Sequence, residues 1–201
     1  DDQLLVFDCL EFNPELRWID VISEVAFCYM DLLQRGHPDW AWLLLNLWLE
    51  KTGDHAGLAL LRYYAVYRAL VRAKVAVLRA GQTQGPAHDA VLNDARTLLQ
   101  LATTLTRPLP LRLDITHGLS GSGKTTITQT LMQKPGAIRL RSDVERKRLA
   151  GLDALARSGS GIGDQLYAAD ATRLTYEHLA RLTGEMLDAG WPVIVDATFT
   201  A

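Results

Sequence analysis

The sequence predicts an α/β protein in two parts. Residues 1–107 form a mainly helical lobe, and residues 108–201 form part of a parallel sheet with its helices. Three observations carry this expectation. Four successive helices are expected between Asp20 and Thr106, the first with apolar residues at three-to-four spacing and the others set off by Pro38, Gly53, Gly81 and the 81–85 break. After Pro108 and Pro110 the pattern changes to alternating strand and helix. At that change a glycine-rich turn, Gly118-Leu119-Ser120-Gly121-Ser122-Gly123-Lys124-Thr125, separates a strand from a helix.

Taken in order, Leu4-Leu5-Val6-Phe7 is a short apolar run ending at Asp8, as a buried strand would be. Val21, Ile22, Val25, Ala26, Tyr29, Leu32 and Leu33 share one helical face from Asp20, and Gly36 stops that helix. Pro38 opens a second helix to about Lys51. A third runs from about His55 to Ala80 before Gly81, and a fourth from about Pro86 to Thr106. In the second part Leu111–Thr116 alternates as a strand does, and Thr125–Met132 reads as a short helix stopped by Pro135-Gly136. Ala137–Leu140 is a second strand, followed by a helix capped by Ser142 or Asp143 and ended at Gly151. Ser158–Gly163 reads as a loop. A long helix from Asp164 to Ala189 follows, with Leu166, Leu174, Leu179, Leu182, Met186 and Leu187 facing the core. Pro192–Asp196 is a third strand, apolar up to its final carboxylate as parallel strands are.

Composition bounds the function. The 201 residues carry 21 Lys plus Arg against 23 Asp plus Glu, a net charge of −2 that gives no reason to expect general nucleic-acid or membrane-surface binding. A 48% hydrophobic content argues against disorder. The two cysteines, Cys9 and Cys28, are no disulfide framework, and no His/Cys cluster has zinc spacing, so a reduced, cytoplasmic setting is expected. No signal peptide is expected from the first residues. The most apolar run, Trp40–Leu49, is only ten residues and too short to span a bilayer.

The glycine-rich turn has the spacing G-x-x-x-x-G-K-[ST], and each fixed position has a chemical reason. The glycines let backbone N–H groups of residues 118–126 curl inward around a polyphosphate. Lys124 supplies a cation to the terminal phosphates, the Thr125 hydroxyl can ligate Mg²⁺, and the helix start adds its dipole. Gly118, Leu119, Ser120, Gly121, Ser122, Gly123, Lys124, Thr125 and Thr126 are thus the candidate nucleotide-binding residues. Val193-Ile194-Val195-Asp196 is a hydrophobic strand ending in a carboxylate, which suits a second metal contact; the plainer reading of Asp196 is a turn former. Asp143 and Arg146 follow the second strand and share one helical face. They suit a base for an acceptor hydroxyl and a phosphate- or acceptor-binding arginine; the plainer alternative is a helix cap at Asp143 with Arg146 paired to it or to solvent. Arg68, Arg72 and Arg79 read as a solvated stripe, the tryptophans as core and interface anchors, and the histidines show neither ligand nor triad spacing.

With these motifs in hand, the second half resembles P-loop kinases of the polynucleotide-kinase, gluconate-kinase and zeta-toxin type, and most closely the AAA_33-like group. Arg141-Ser142-Asp143-Val144-Glu145-Arg146-Lys147 and Val195-Asp196-Ala197-Thr198-Phe199 carry that resemblance. It implies that Asp143 is a general base, that Arg146 binds acceptor or phosphate, and that Lys124 acts on the transferred group. The first half resembles the C-terminal lobe of an aminoglycoside-phosphotransferase-like domain through Phe7–Phe12, Arg17–Val21 and Tyr67–Lys74. That resemblance implies a metal-binding role for Asp8, while the His-Gly-Asp catalytic segment of such domains is absent from this sequence. Both domains are expected to be incomplete here, with lid and adenine-binding segments outside the chain.

The expected activity is transfer of the γ-phosphoryl group of ATP, with Mg²⁺, to a hydroxyl of a small molecule or nucleotide. A polynucleotide acceptor stays open, as does an ATPase or regulatory ATP-binding role coupled to the first domain. Oligomeric state is not legible.

Overall fold

The computed structural model describes residues 13–119, 121–153 and 169–199. A short 3₁₀ turn at Pro14–Arg17 leads to Asp20, whose carboxylate accepts the Ile22 N–H at 3.1 Å and starts α1 (Val21–Gln34). Pro38 opens α2 (Pro38–Thr52), and Gly53 ends it at φ 73°, a backbone conformation that favours glycine. Then come α3 (Leu58–Ala80) and α4 (Pro86–Thr106). The buried face of α3 carries Ala65, Ala69, Ala73, Ala76 and Ala80, small side chains that let neighbouring helices approach closely. The arginines expected as a solvated stripe do otherwise. Arg68 bonds Glu24 at 2.6 Å and Ser23 at 3.1 Å, and Arg72 pairs with Asp31, so two of the three clamp α1 onto α3.

Three parallel strands follow the expected alternation: β1 (Leu113–Ile115), β2 (Ile138–Arg141) and β3 (Val193–Asp196), in the order β1-β3-β2. Helix α5 (Lys124–Leu131) runs into a π-helical turn at Met132–Gly136, α6 spans Ser142–Leu149, and α7 spans Ala169–Asp188. β3, buried along its whole length, sits between the other two strands.

One hydrophobic core runs through both halves. Ile22, Leu45, Leu61 and Leu98 belong to the same buried cluster as Ile138, Leu140, Val193 and Trp191. Trp42 meets Trp191 edge to face with centroids 5.8 Å apart, and the Trp191 indole N–H donates to Leu58 O at 3.0 Å. Polar contacts cross the same boundary. The side chain of Asn46 on α2 donates to Ala137 O at 3.0 Å and accepts the Arg139 N–H at 2.7 Å. It thereby serves β2 as a neighbouring strand would.

Several expectations need correction. Val21 and Leu174 are more than half exposed, because they sit at the edge of their helices' apolar faces. Leu113 and Ile115 of β1 are also exposed, since among the described residues nothing covers that face. Trp42 and Trp191 are anchors as expected, whereas Trp18 and Trp40 lie at the surface. The Leu4–Phe7 strand, Asp8, Ser120, the Ser158–Gly163 loop and Leu166 lie outside the described residues. No helix among the described residues is long and apolar enough to cross a membrane.

Candidate functional site

In a parallel sheet the carboxyl ends of the strands gather the loops that bind ligands. Here the turn after β1, the start of α6 after β2 and the residues after β3 surround a cleft of about 510 Å³. Lys124, Thr125, Thr126, Asp143, Arg146 and Asp196 all line it, with Gly121, Gly123, Arg141 and Ser142. Residues far apart in sequence thus meet at one place, in the combination that the motifs suggest.

The loop's shape follows from its glycines. Gly118, Gly121 and Gly123 have φ of 135°, 79° and 84°, which residues with a Cβ rarely adopt. Lys124 Nζ donates to Gly118 O at 2.9 Å and Leu119 O at 2.6 Å, so the ammonium is held inside the turn. Gly118, Leu119 and Ser122 shape the loop, with Ser122 N donating to Leu119 O at 3.3 Å. The turn is also stitched to the end of β3: the Thr116 hydroxyl accepts the Ala197 N–H at 3.0 Å, and Gly118 N donates to Thr198 O at 3.3 Å.

Asp196 is buried at the end of the central strand, where the Thr128 hydroxyl lies 3.1 Å from its Oδ2. Thr128 is fully buried, and sequence reading gave it no role. The available signal was its position three residues after Thr125, one turn along the same helix. The Thr125 hydroxyl and the Asp196 carboxylate are hard oxygen donors in one cleft. They fit Mg²⁺, which uses few protein ligands and keeps waters and phosphate oxygens for the rest.

Asp143 is not the helix cap. Arg141 holds the cap position of α6 with extended backbone, and Asp143 is the second helical residue, its side chain about half exposed in the cleft. Arg141 Nη2 donates to Asp143 Oδ2 at 2.9 Å. Behind this edge lies a layer that the motifs did not reveal. Glu50 on α2 pairs with the buried Arg139 at 2.8 Å and lies 3.6 Å from Arg141. Glu145, also buried, pairs with Arg148 and with His178 Nε2 at 3.1 Å, and His55 stands 4.0 Å away. Burial pushes the His55 imidazole below its ordinary value, against the opposing pull of Glu145. Among the described residues no group of three or more His, Cys, Asp or Glu could hold a metal ion.

Comparison with known proteins points to the same half of the chain. Residues 113–201 match the AAA_33 family, described as an AAA domain. Over those residues the chain is similar to P-loop nucleotide-binding domains of kinase or ATPase type. Curated relatives from Mycobacterium bovis and from two strains of Mycobacterium tuberculosis, each described only as an uncharacterized protein, are 32% identical over 199 residues. The match covers 99% of this chain and 39% of each relative, so the chain spans about two-fifths of their length. No solved structure matches.

Proposed function

We propose that the cleft transfers the γ-phosphoryl group of ATP to a hydroxyl group. The observation that supports this best is the placement of Asp143 and Arg146 in the same cleft as the phosphate loop. A site for nucleotide hold alone needs the loop, its lysine and its metal ligands. A carboxylate and an arginine at the neighbouring strand end add what an acceptor needs. The order β1-β3-β2 puts Asp196 between the phosphate loop and Asp143.

In this reading the N–H groups of the loop and Lys124 bind the β- and γ-phosphates, and Lys124 neutralises charge on the group in flight. Thr125 and Asp196 hold Mg²⁺, which supplies charge neutralisation and phosphate orientation. Asp143 takes the proton of the acceptor hydroxyl as its oxygen bonds to the γ-phosphorus. The bond to the β–γ bridging oxygen breaks, and ADP leaves. Arg146 orients the acceptor or the phosphate. We also read the helical half as the C-terminal lobe of an aminoglycoside-phosphotransferase-like domain with its boundary at 107/108, Asp8 as a metal ligand there, and the setting as cytoplasmic.

Lys124→Ala should weaken Mg-ATP binding by about 10- to 150-fold, the loss of a charge-assisted contact. Asp143→Asn should bind Mg-ATP normally and slow transfer by about 10²–10⁴-fold. Calorimetry and transfer of radiolabelled phosphate from ATP across a panel of sugars, nucleosides, polynucleotide ends and aminoglycosides measure both. An ATPase or regulatory module is the second reading, favoured by the continuous packing between α2 and the cleft. Turnover that no acceptor stimulates and that Asp143→Asn leaves intact would establish it instead. Aminoglycoside phosphorylation that survives Lys124→Ala but not Asp8→Ala would move the activity to the first half.

A further inference from the structure

The Asp143 side of the cleft is supported by the helical half. Glu50, in the last turn of α2, is 7% exposed, and its Oε1 accepts from Arg139 Nη2 at 2.8 Å. Its other oxygen, Oε2, lies 3.6 Å from Arg141 Nη1, and Arg141 Nη2 donates to Asp143 Oδ2 at 2.9 Å. The far end of α6 rests on the same turn of α2, because Arg148 donates to Leu49 O at 3.3 Å and to Glu50 O at 2.7 Å. Among the described residues, Arg139 Nε and Nη1 and Arg141 Nε are buried without hydrogen-bond partners. Two guanidinium groups thus lean on one carboxylate, and one of them leans on Asp143 as well.

We propose that Glu50 is a positioning residue for phosphoryl transfer, which fixes the Asp143 carboxylate through their shared partner Arg141. The helical half is then part of the catalytic unit. This rests on Asp143 being the base proposed above. While Glu50 draws on Arg141, the guanidinium is held between two carboxylates and Asp143 keeps a fixed orientation. Without that charge Arg141 turns onto Asp143 alone and occupies the lone pairs that an acceptor proton must meet. Glu50 does not line the cleft, so the nucleotide contacts are left in place.

The test uses the intact protein with Mg-ATP, and water as the acceptor hydroxyl. Mg-ATP affinity is measured by calorimetry, and ADP formation in single turnover. Glu50→Gln should keep Mg-ATP affinity within about twofold and slow ADP formation by about tenfold or more, a loss of one charge-assisted contact in the transition state. In an Asp143→Asn background the same substitution should cost no further rate, because its effect passes through Asp143. Glu50→Gln leaves Arg139 buried without its anion and endangers folding. The pair Glu50→Gln with Arg139→Met removes both buried charges, still frees Arg141, and should show the same loss and the same non-additivity. A rate unchanged by either variant, or losses that add to that of Asp143→Asn, overturns the proposal. If Asp143→Asn itself turns over at the wild-type rate, the base assignment fails and this inference falls with it. Slowing by Asp143→Asn but not by Glu50→Gln or the paired variant removes this inference alone.

Discussion

Asn46→Leu is the sharpest probe of how the two halves are joined. Asn46 is 1% exposed, and its amide meets β2 as a peptide group would: Nδ2 donates to Ala137 O at 3.0 Å, and Oδ1 accepts the Arg139 N–H at 2.7 Å. A third bond, to Trp42 O at 2.9 Å, stays within α2. Leucine has the same number of side-chain heavy atoms and the same branching, so the change opens no cavity, and its bulkier methyl groups add some crowding to the polar loss. It strands the Arg139 N–H of β2 and the Ala137 C=O just before the strand in a place that water does not reach. Each buried, unpaired group costs about 1–3 kcal/mol, so the expected loss is about 2–6 kcal/mol. Against a total stability of about 5–15 kcal/mol, this is a large fraction. Urea denaturation followed by tryptophan fluorescence measures it, since Trp42 and Trp191 sit beside the contact. A loss below about 1 kcal/mol, at unchanged denaturant slope, would refute the view that Asn46 completes the edge of β2.

Three further outcomes are expected. Gly136 has φ 77° and a Cβ there would collide with the Trp42 ring, so Gly136→Ala should destabilise the protein by about 2–4 kcal/mol from backbone strain and overpacking, read as a lowered urea midpoint. Thr128→Val keeps the shape but removes the hydroxyl beside Asp196; Mg²⁺-dependent nucleotide affinity should fall by about 5- to 30-fold, and equal affinities would show that Asp196 needs no such support. The pH dependence follows from His55, whose folded pKa lies below the ordinary 6.5 because burial disfavours its cation. The unfolded chain therefore binds the proton first as pH falls. The stabilisation is complete above about 6.5 and declines as pH drops from there through the lower folded value. Melting temperatures between pH 8 and 5 should show a shallower acid decline in His55→Gln than in wild type, and parallel curves would count against it.

What was legible in the sequence was local. The phosphate loop shows itself because chemistry fixes four positions within eight consecutive residues, and α2 and α4 because Pro38 and Pro86 open them where proline is tolerated. The Asp143–Arg146 pair could be placed on the cleft because strand, turn and helix follow in order. What failed was long-range pairing. Asn46 lies within the most apolar run of the chain, and nothing near it names β2 as its partner. Glu50 and Glu145 look like ordinary helix-surface acids, yet both are buried, Glu50 against Arg139 of β2 and Glu145 against His178 of α7 as well as Arg148 of its own helix. Arg68 and Arg72 have the spacing of a solvated face, and only the position of α1 turns them into a clamp. Period tells which residues share a face, but not what that face meets.

The meeting of α2 with β2 has a geometric cause that links fold to site. An edge strand leaves N–H and C=O groups unpaired, and a helix laid along it can satisfy them only with side chains. Asparagine does this best, since its amide carries a donor and an acceptor spaced as in a peptide. Four helical residues advance about 6 Å, and two strand residues about 6.6 Å. Asn46 and Glu50, four apart on one helical face, therefore keep step with Arg139 and Arg141, two apart on one strand face. Once Asn46 binds the Arg139 backbone, Glu50 has little choice but to fall between the two guanidinium groups. Arg141 is in turn the last residue before α6, so the register set at Asn46 is handed on to Asp143. Inserting one residue between Asn46 and Glu50 would turn Glu50 by about 100° away from β2. The phosphate loop would be untouched, and the carboxylate beside it would lose its support.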